Sequence, residues 1–333
     1  MPVTLEDIAR ALNVSKMTVS RAINNHPEIS SATRERILAT ARKMNYRPNQ
    51  FARALTTNQS YLIGIVVPDL MHSYFAEICR GVEIHARPVG YQNLICSTEE
   101  EPRKERDEIE ALLSRTDGLI VASAMSGNEI NFYRQLLSDG AKVVLIDRVL
   151  DGLRCSAVTT DDVQVGVLAT QHLLDVGHRK IGHLRGPHVS TALQRMEGYR
   201  HALTKARIRF SKELVRDGGF TEAEGHAAMK AWIASGNLPT AIFAANDPAA
   251  IGAMTAMDEA GLRVPDDIAF VGAGSIHYGD MLRVPLTTVG WSTSAMGQAA
   301  AELLLELIRD KNKVRKPRRI VVPPALVIRK SSQ

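Results

Sequence analysis

At 333 residues, 45% apolar and 23% charged, the chain is long enough for two or three compact domains and has the make-up of a globular protein. No apolar run approaches the roughly 18 residues of a membrane span, and the N-terminus M-P-V-T-L-E-D lacks the basic and apolar regions of a secretion signal, which points to the cytoplasm. The net charge of +5 lies entirely in the first sixty residues, where nine basic side chains face four acidic ones; the remainder balances at 32 and 32. A polyanion is the simplest partner for such a segment.

In chain order, Thr4 with Asp7 forms a capping-box pattern, and Leu5, Ile8, Ala9 and Leu12 recur at helical spacing, so a first helix is expected over 5–12. Asn13 suits a left-handed turn. Ser15 is a good N-cap for a second helix that starts near Lys16, with Val19, Ala22 and Ile23 inward and Lys16, Met17, Ser20, Arg21 and Asn24 on a polar side without a carboxylate. Two short helices joined by about three residues make a helix-turn-helix. A third helix is expected after Pro27, capped at Ser30 or Ser31, with Ile37, Leu38, Ala41 and Met44 inward. The stretch Y-R-P-N-Q-F-A-R-A-L-T-T-N (46–58) starts a helix too short to be stable alone, so it should fold against a partner.

From residue 60 onward short apolar runs alternate with longer helical ones, the pattern of a parallel sheet covered on both faces. Strands are expected at 62–68, 91–96, 118–123 and 142–147, then at 180–187, near Leu214, at 241–247 and at 268–272, with helices at 162–176, 190–206 and 247–260. Two similar lobes result. Ligands of such folds bind beyond the carboxyl ends of the strands, here between the lobes. The candidates are Ser73, Tyr74, Phe75, Ser123, Asp147, Arg195, Phe220, Asn246 with Asp247, and Trp291; Asp247 could equally cap the following helix.

Three segments, T-L-E-D-I-A-R-A-L-N-V-S-K-M-T-V-S-R-A-I-N, T-R-E-R-I and M-N-Y-R-P-N-Q-F-A-R-A-L, resemble the headpiece of the lactose-repressor (LacI/GalR) family, and the match runs across almost the whole chain. The resemblance implies an all-α helix-turn-helix headpiece (1–47), a hinge helix and linker (48–60), and an α/β two-lobed, periplasmic-binding-protein-like core with parallel sheets (61–333). It implies that the second helix enters the DNA major groove, with Lys16 and Met17 choosing bases beside Ser20 and Arg21. Lys16 can donate to guanine, whereas Met17 offers only apolar contact. Thr4, Ser15, Asn24 and Tyr46 fit phosphate positioning, Asn49 and Ala52 are expected DNA-binding residues of the hinge segment, and Leu55 matches the leucine that wedges into the central base step.

R-x-x-G-Y (195–199), A-N-D (245–247) and P-L-T-T-V (285–289) carry the resemblance into the core, implying effector contacts from Arg195, Asn246 and Asp147 and aromatic stacking from Phe220. One departure stands out: V-G-A-G-S-I-H-Y (271–278) puts Gly274 where the family has a sugar-gripping Asp. Loss of that carboxylate leaves Arg195 free for an anionic group, so a sugar acid or another small hydroxylated acid is the expected effector, or a neutral sugar if His277 or Asp280 replaces the missing group.

Other classes fit less well. G-A-G at 272–274 lacks the third glycine of a dinucleotide fingerprint, and His178, His183 and His188 fall on a turn, a strand and a loop, so neither cofactor nor metal is expected. Cys79, Cys96 and Cys155 form no C-x-x-C pair. An exported two-lobed sugar-binding protein would need a signal and no basic headpiece. The basic run 311–319 reads as a solvated loop, and no leucine-heptad tail follows A-L-V-I-R-K, so the expectation is a homodimer reading pseudo-palindromic double-stranded DNA, in the cytoplasm, without enzymatic activity.

Overall fold

The computed structural model describes residues 3–23, 26–46, 59–310 and 316–333. Contacts divide the chain into two compact units, Met1–Ser60 and Tyr61–Gln333.

In the first unit, α1 (Leu5–Leu12) begins at the capping box that Thr4 and Asp7 form, and ends at Asn13 in the left-handed conformation (φ 52°). Ser15 Oγ accepts from the Thr18 amide at 3.0 Å and starts α2 (Lys16–Ile23). Ser30 accepts from the Thr33 amide and starts α3 (Ser31–Lys43). Ile8, Ala9, Val19, Ala22, Ile37 and Ala41 close one small shared core, with Val14 and Tyr46 at its margin.

The second unit holds two six-stranded sheets. The N-terminal lobe is laid down by β1 (Leu62–Val67), α4 (Ser73–Ala86), β2 (Gln92–Ser97), α5 (Pro102–Leu113), β3 (Gly118–Val121), α6 (Ile130–Ser138), β4 (Val143–Ile146) and β5 (Ser156–Thr160). The chain then crosses into the C-terminal lobe: α7 (Asp162–Asp175), β6 (Ile181–Arg185), α8 (Ser190–Lys205), β7 (Val215–Asp217), α9 (Glu222–Ala234), β8 (Ala241–Ala244), α10 (Asp247–Glu259), β9 (Ala269–Ala273) and β10 (Thr287–Gly290). It returns to the first lobe for α11 (Thr293–Arg309) and β11 (Arg319–Val322), and crosses a third time to β12 (Ala325–Val327). The sheet orders are β11-β5-β4-β3-β1-β2 and β12-β10-β9-β8-β6-β7, parallel except for β10 with β12.

The strands and helices expected from apolar runs appear within one to three residues of their expected bounds. β5, β10, β11 and β12 do not announce themselves. Ser156–Thr160 reads S-A-V-T-T, yet all five residues are buried. Helices lie on both faces of each sheet, and their pairs cross at glycines. A Cβ at Gly198 of α8 would collide with the Val163 carbonyl of α7 and stand 2.7 Å from the Val167 nitrogen. α4 and α11 meet in the same way, where a Cβ at Gly297 would lie 2.9 Å from Gly81 Cα. Side chains are excluded there because the backbones themselves are in contact.

Candidate functional site

The headpiece presents one face of α2. Lys16, Met17 and Arg21 are exposed, Met17 at 63%, while Ser20 is half-buried. Lys16 Nζ stands 3.7 Å from Glu6 and Arg21 Nη1 donates to Glu28 Oε2 at 2.6 Å. The Thr4 and Ser15 hydroxyls serve as helix caps, and Tyr46 packs half-buried against the three-helix core, its phenol pushed up by burial. Asn24, Asn49, Ala52 and Leu55 lie outside the described residues.

In the core, a narrow cavity of about 40 Å³ opens between the lobes. A space of this size admits only a few waters. Its walls hold Tyr74, Phe75, Asp147, Arg195, Phe220, Asn246, Gly274 and Trp291 from the expected set, and His72, Arg148, Thr191 and Ala273 besides. Ser73 and Ser123 are not among the lining residues. Ser73 Oγ is buried with no hydrogen-bond partner among the described residues. Ser123 Oγ donates to Glu105 at 2.6 Å, in a buried knot with the Ala124 amide and the Tyr133 hydroxyl, where burial pushes the Glu105 carboxyl up. β3 ends at Val121, so Ser123 has already turned behind the wall.

Each lining group is set by its element. Asp147 follows β4 with φ 64°, a left-handed backbone that a non-glycine residue holds only when its surroundings fix it. Here its Oδ1 accepts from Tyr74 OH at 2.6 Å, and Tyr74 OH accepts from Trp291 Nε1 at 3.1 Å. Arg148 is 3% exposed; its Nη1 and Nη2 each reach Glu100 at 2.6 Å, and its guanidinium lies 5.4 Å from the Phe220 ring of the opposite lobe. Asn246 caps α10 through Ala249, and its Nδ2 donates to the Phe220 carbonyl at 2.7 Å. His72 Nδ1 accepts from the Tyr74 amide at 3.3 Å, and its Nε2 lies 3.5 Å from Asn246 Nδ2. Burial lowers the His72 pKa, so the ring is neutral. The His72 and Asn246 side chains therefore meet at the seam between the lobes.

Arg195 is not free in the way the missing carboxylate suggested. Its Nε donates to Asp162 Oδ1 at 2.8 Å and its Nη1 to the Ala245 carbonyl at 2.7 Å, leaving Nη2 as the donor without a partner among the described residues. Asp162 is fully enclosed, and burial pushes its pKa up to about 7 although Arg195 pulls the other way. Arg195 also lies 5.3 Å from the Trp291 ring. Gly274 adopts φ 121°, open to glycine and strained for any side chain. His277 and Asp280 are both exposed, His277 pairing with Glu77 at 3.5 Å, and neither lines the cavity. Asp247 does not cap α10; its Oδ2 accepts from the Ile276 amide and its Oδ1 from Thr288, tying α10 to the loop that carries Gly274.

His72, Arg148 and Thr191 were missed in the sequence. Arg148 follows a residue already chosen and His72 sits just ahead of the first-strand candidates, so a window one residue wider would have included both; Thr191 lies one helical turn before Arg195 on the same helix. Among the described residues no group of three potential ligands could hold a metal, and no helix is long and apolar enough to cross a membrane.

Comparison with known proteins gives this geometry its context. Residues 4–49 match the family model for bacterial regulatory proteins of the lacI family, and residues 170–332 that of a periplasmic binding protein-like domain. The chain is 36% identical to the HTH-type transcriptional repressor PurR of Haemophilus influenzae (strain PittEE) over 98% of both chains. It is 34% identical to the PurR repressor of Pasteurella multocida (strain Pm70), again over 98% of both. The structure of the Lac repressor dimer bound to operator and the anti-inducer ONPF superposes with a TM-score of 0.88 over 100% of this chain and 99% of that one, at 28% identity. A complex of the transcriptional regulator CelR with cellobiose gives 0.74, at 28% identity, over 99% of both chains. The chain belongs to the LacI family, and with it to the DNA-binding transcriptional repressors rather than to the enzymes.

Proposed function

We propose that this repressor binds a pseudo-palindromic operator as a homodimer in the cytoplasm, and that a small sugar acid held between the core lobes sets its operator affinity. In this reading residues 1–47 form the headpiece, 48–60 the hinge and 61–333 the effector core. Lys16, Met17 and Arg21 meet base edges, and Leu55 opens the central step. Ligand closes the lobes, and the changed angle between them pairs or melts the two hinge helices. The Lac repressor relative is a dimer on its operator, and the CelR relative binds a sugar.

The carrying observation is Arg195 on the cavity wall, whose Nη2 has no partner among the described residues, with Gly274 adding no carboxylate. Donors in a closed space favour a ligand rich in acceptor oxygens, and a guanidinium edge favours a carboxylate. A neutral sugar is the second reading, favoured by Asp162, which already accepts from Arg195, and by Asp147, a carboxylate on the cavity wall.

The test is the melting temperature of the protein against matched pairs of sugars and their acids, followed by operator binding with each stabilising compound. Stabilisation by an acid but not its parent sugar is expected. Stabilisation by neutral sugars alone would overturn the acid, and a stabilising ligand that leaves operator affinity unchanged would overturn the coupling.

A further inference from the structure

Residues 26–30, ahead of α3, are held more firmly than their exposure suggests. Arg34, on the first turn of α3, donates from Nη2 to the His26 carbonyl at 2.9 Å and to the Ile29 carbonyl at 3.1 Å. The His26 amide returns to the Arg21 carbonyl at 2.9 Å, and the Ile29 amide to His26 at 3.2 Å. Glu28 sits inside this clamp, and its carboxylate accepts from Arg21 Nη1 at 2.6 Å. His26 Nδ1 stands 3.8 Å from it.

Arginine carries its donors in a rigid planar fork. With Nη1 committed to Glu28, the opposite edge, Nε–H with Nη2–H, has no acceptor among the described residues. Two parallel donors match guanine O6 and N7 in the major groove. An exposed arginine otherwise surrenders its rotamer freedom on binding, which weakens specific contact.

We propose that Glu28 is a positioning residue for operator recognition: fixed from behind by Arg34, it holds the Arg21 guanidinium so that its free edge meets a guanine. This rests on Arg21 facing the DNA, as the Proposed function has it. An exposed ion pair adds little to folding stability, so its effect falls on selectivity. A carboxylate that merely competed with DNA for Arg21 would instead lower affinity for every sequence alike.

The experiment selects duplexes from a randomised library with the full-length wild type, Glu28→Gln, Arg21→Ala and the double variant, and compares base preference position by position at two salt concentrations. Melting curves check that each headpiece is folded. Glu28→Gln is expected to lose about fivefold to tenfold of guanine preference at one base pair per half-site, the pair where Arg21→Ala loses its preference, with no further loss in the double variant. Other positions keep their preferences, and nonspecific binding rises because a negative charge has gone. An unchanged preference profile in Glu28→Gln overturns the proposal, whether overall affinity rises or stays. So does an equal loss at every position, or a loss at a pair that Arg21→Ala leaves alone.

Discussion

Replacing Gly198 by alanine tests how the C-terminal lobe holds its arginine. α7 and α8 cross where Gly166 and Gly198 face each other, and an added Cβ would strike the Val163 carbonyl and approach Gly166 Cα to 2.9 Å. Both are backbone atoms, so the helices must separate. Overpacking of this kind costs about 3 kcal/mol at the upper end, and the better helix propensity of alanine returns about 1 kcal/mol. A net loss of roughly 2 kcal/mol lowers the melting temperature by about 4–8 °C for a lobe of this size. The same movement reaches the site, because Asp162 lies one turn from Gly166, Arg195 one turn from Gly198, and they meet at 2.8 Å. Ligand affinity should therefore fall together with stability. Scanning calorimetry with ligand titration reads both, with Glu197→Ala on the exposed side of α8 as the control. A Gly198→Ala protein that melts within 1 °C or so of the wild type would refute the backbone-contact argument.

Arg195→Ala leaves Asp162 buried without its partner and should cost about 3–5 kcal/mol; Asp162→Asn in that background should recover part of it, and denaturant midpoints that show no recovery would contradict the pairing. His183 stacks between Tyr199 and Phe243 with a pKa that burial lowers to about 4. Its unfolded value is about 6.5, so the unfolded chain binds more protons between these limits: the contribution to stability is complete above pH 6.5 and is lost as pH falls toward 4. About 2 kcal/mol should be gone at pH 5. Asp162, raised to about 7, works in the opposite direction, so the comparison is wild type against His183→Phe at pH 7 and 5, and a difference independent of pH would count against the neutral, buried imidazole. Ser331→Ala removes a bond to the Phe270 carbonyl at 2.7 Å and an acceptor for the Thr287 amide at 2.8 Å; loss of about 1–3 kcal/mol is expected, and an unchanged urea midpoint would show that water replaces the hydroxyl.

Much of this protein was legible residue by residue, where a signal and its consequence lie within one turn of helix or one strand. Thr4 with Asp7, Asn13, Ser15 and Ser30 set the headpiece boundaries because each hydroxyl, carboxylate or left-handed residue meets backbone groups three or four positions away. The apolar runs marked their strands because both faces of each sheet are covered. Position after a strand identified Asp147 and Asn246, since the carboxyl ends of parallel strands face the cavity, whereas Arg195, inside α8, was marked by the R-x-x-G-Y motif. The tertiary structure alone decided the rest. S-A-V-T-T became β5 because the sheet had a place for it beside β4, not because its residues demanded burial. α11 belongs with α4 in the first lobe although the second lobe precedes it: its apolar face joins that lobe's core, and two glycines let the backbones touch. Above all, Asp162 became the partner of Arg195 across 33 positions of sequence, which altered what Gly274 had seemed to leave open. Local hydrogen bonds and periodicity are written in neighbouring residues; which distant faces are buried together depends on backbone approach, and only the folded chain fixes that.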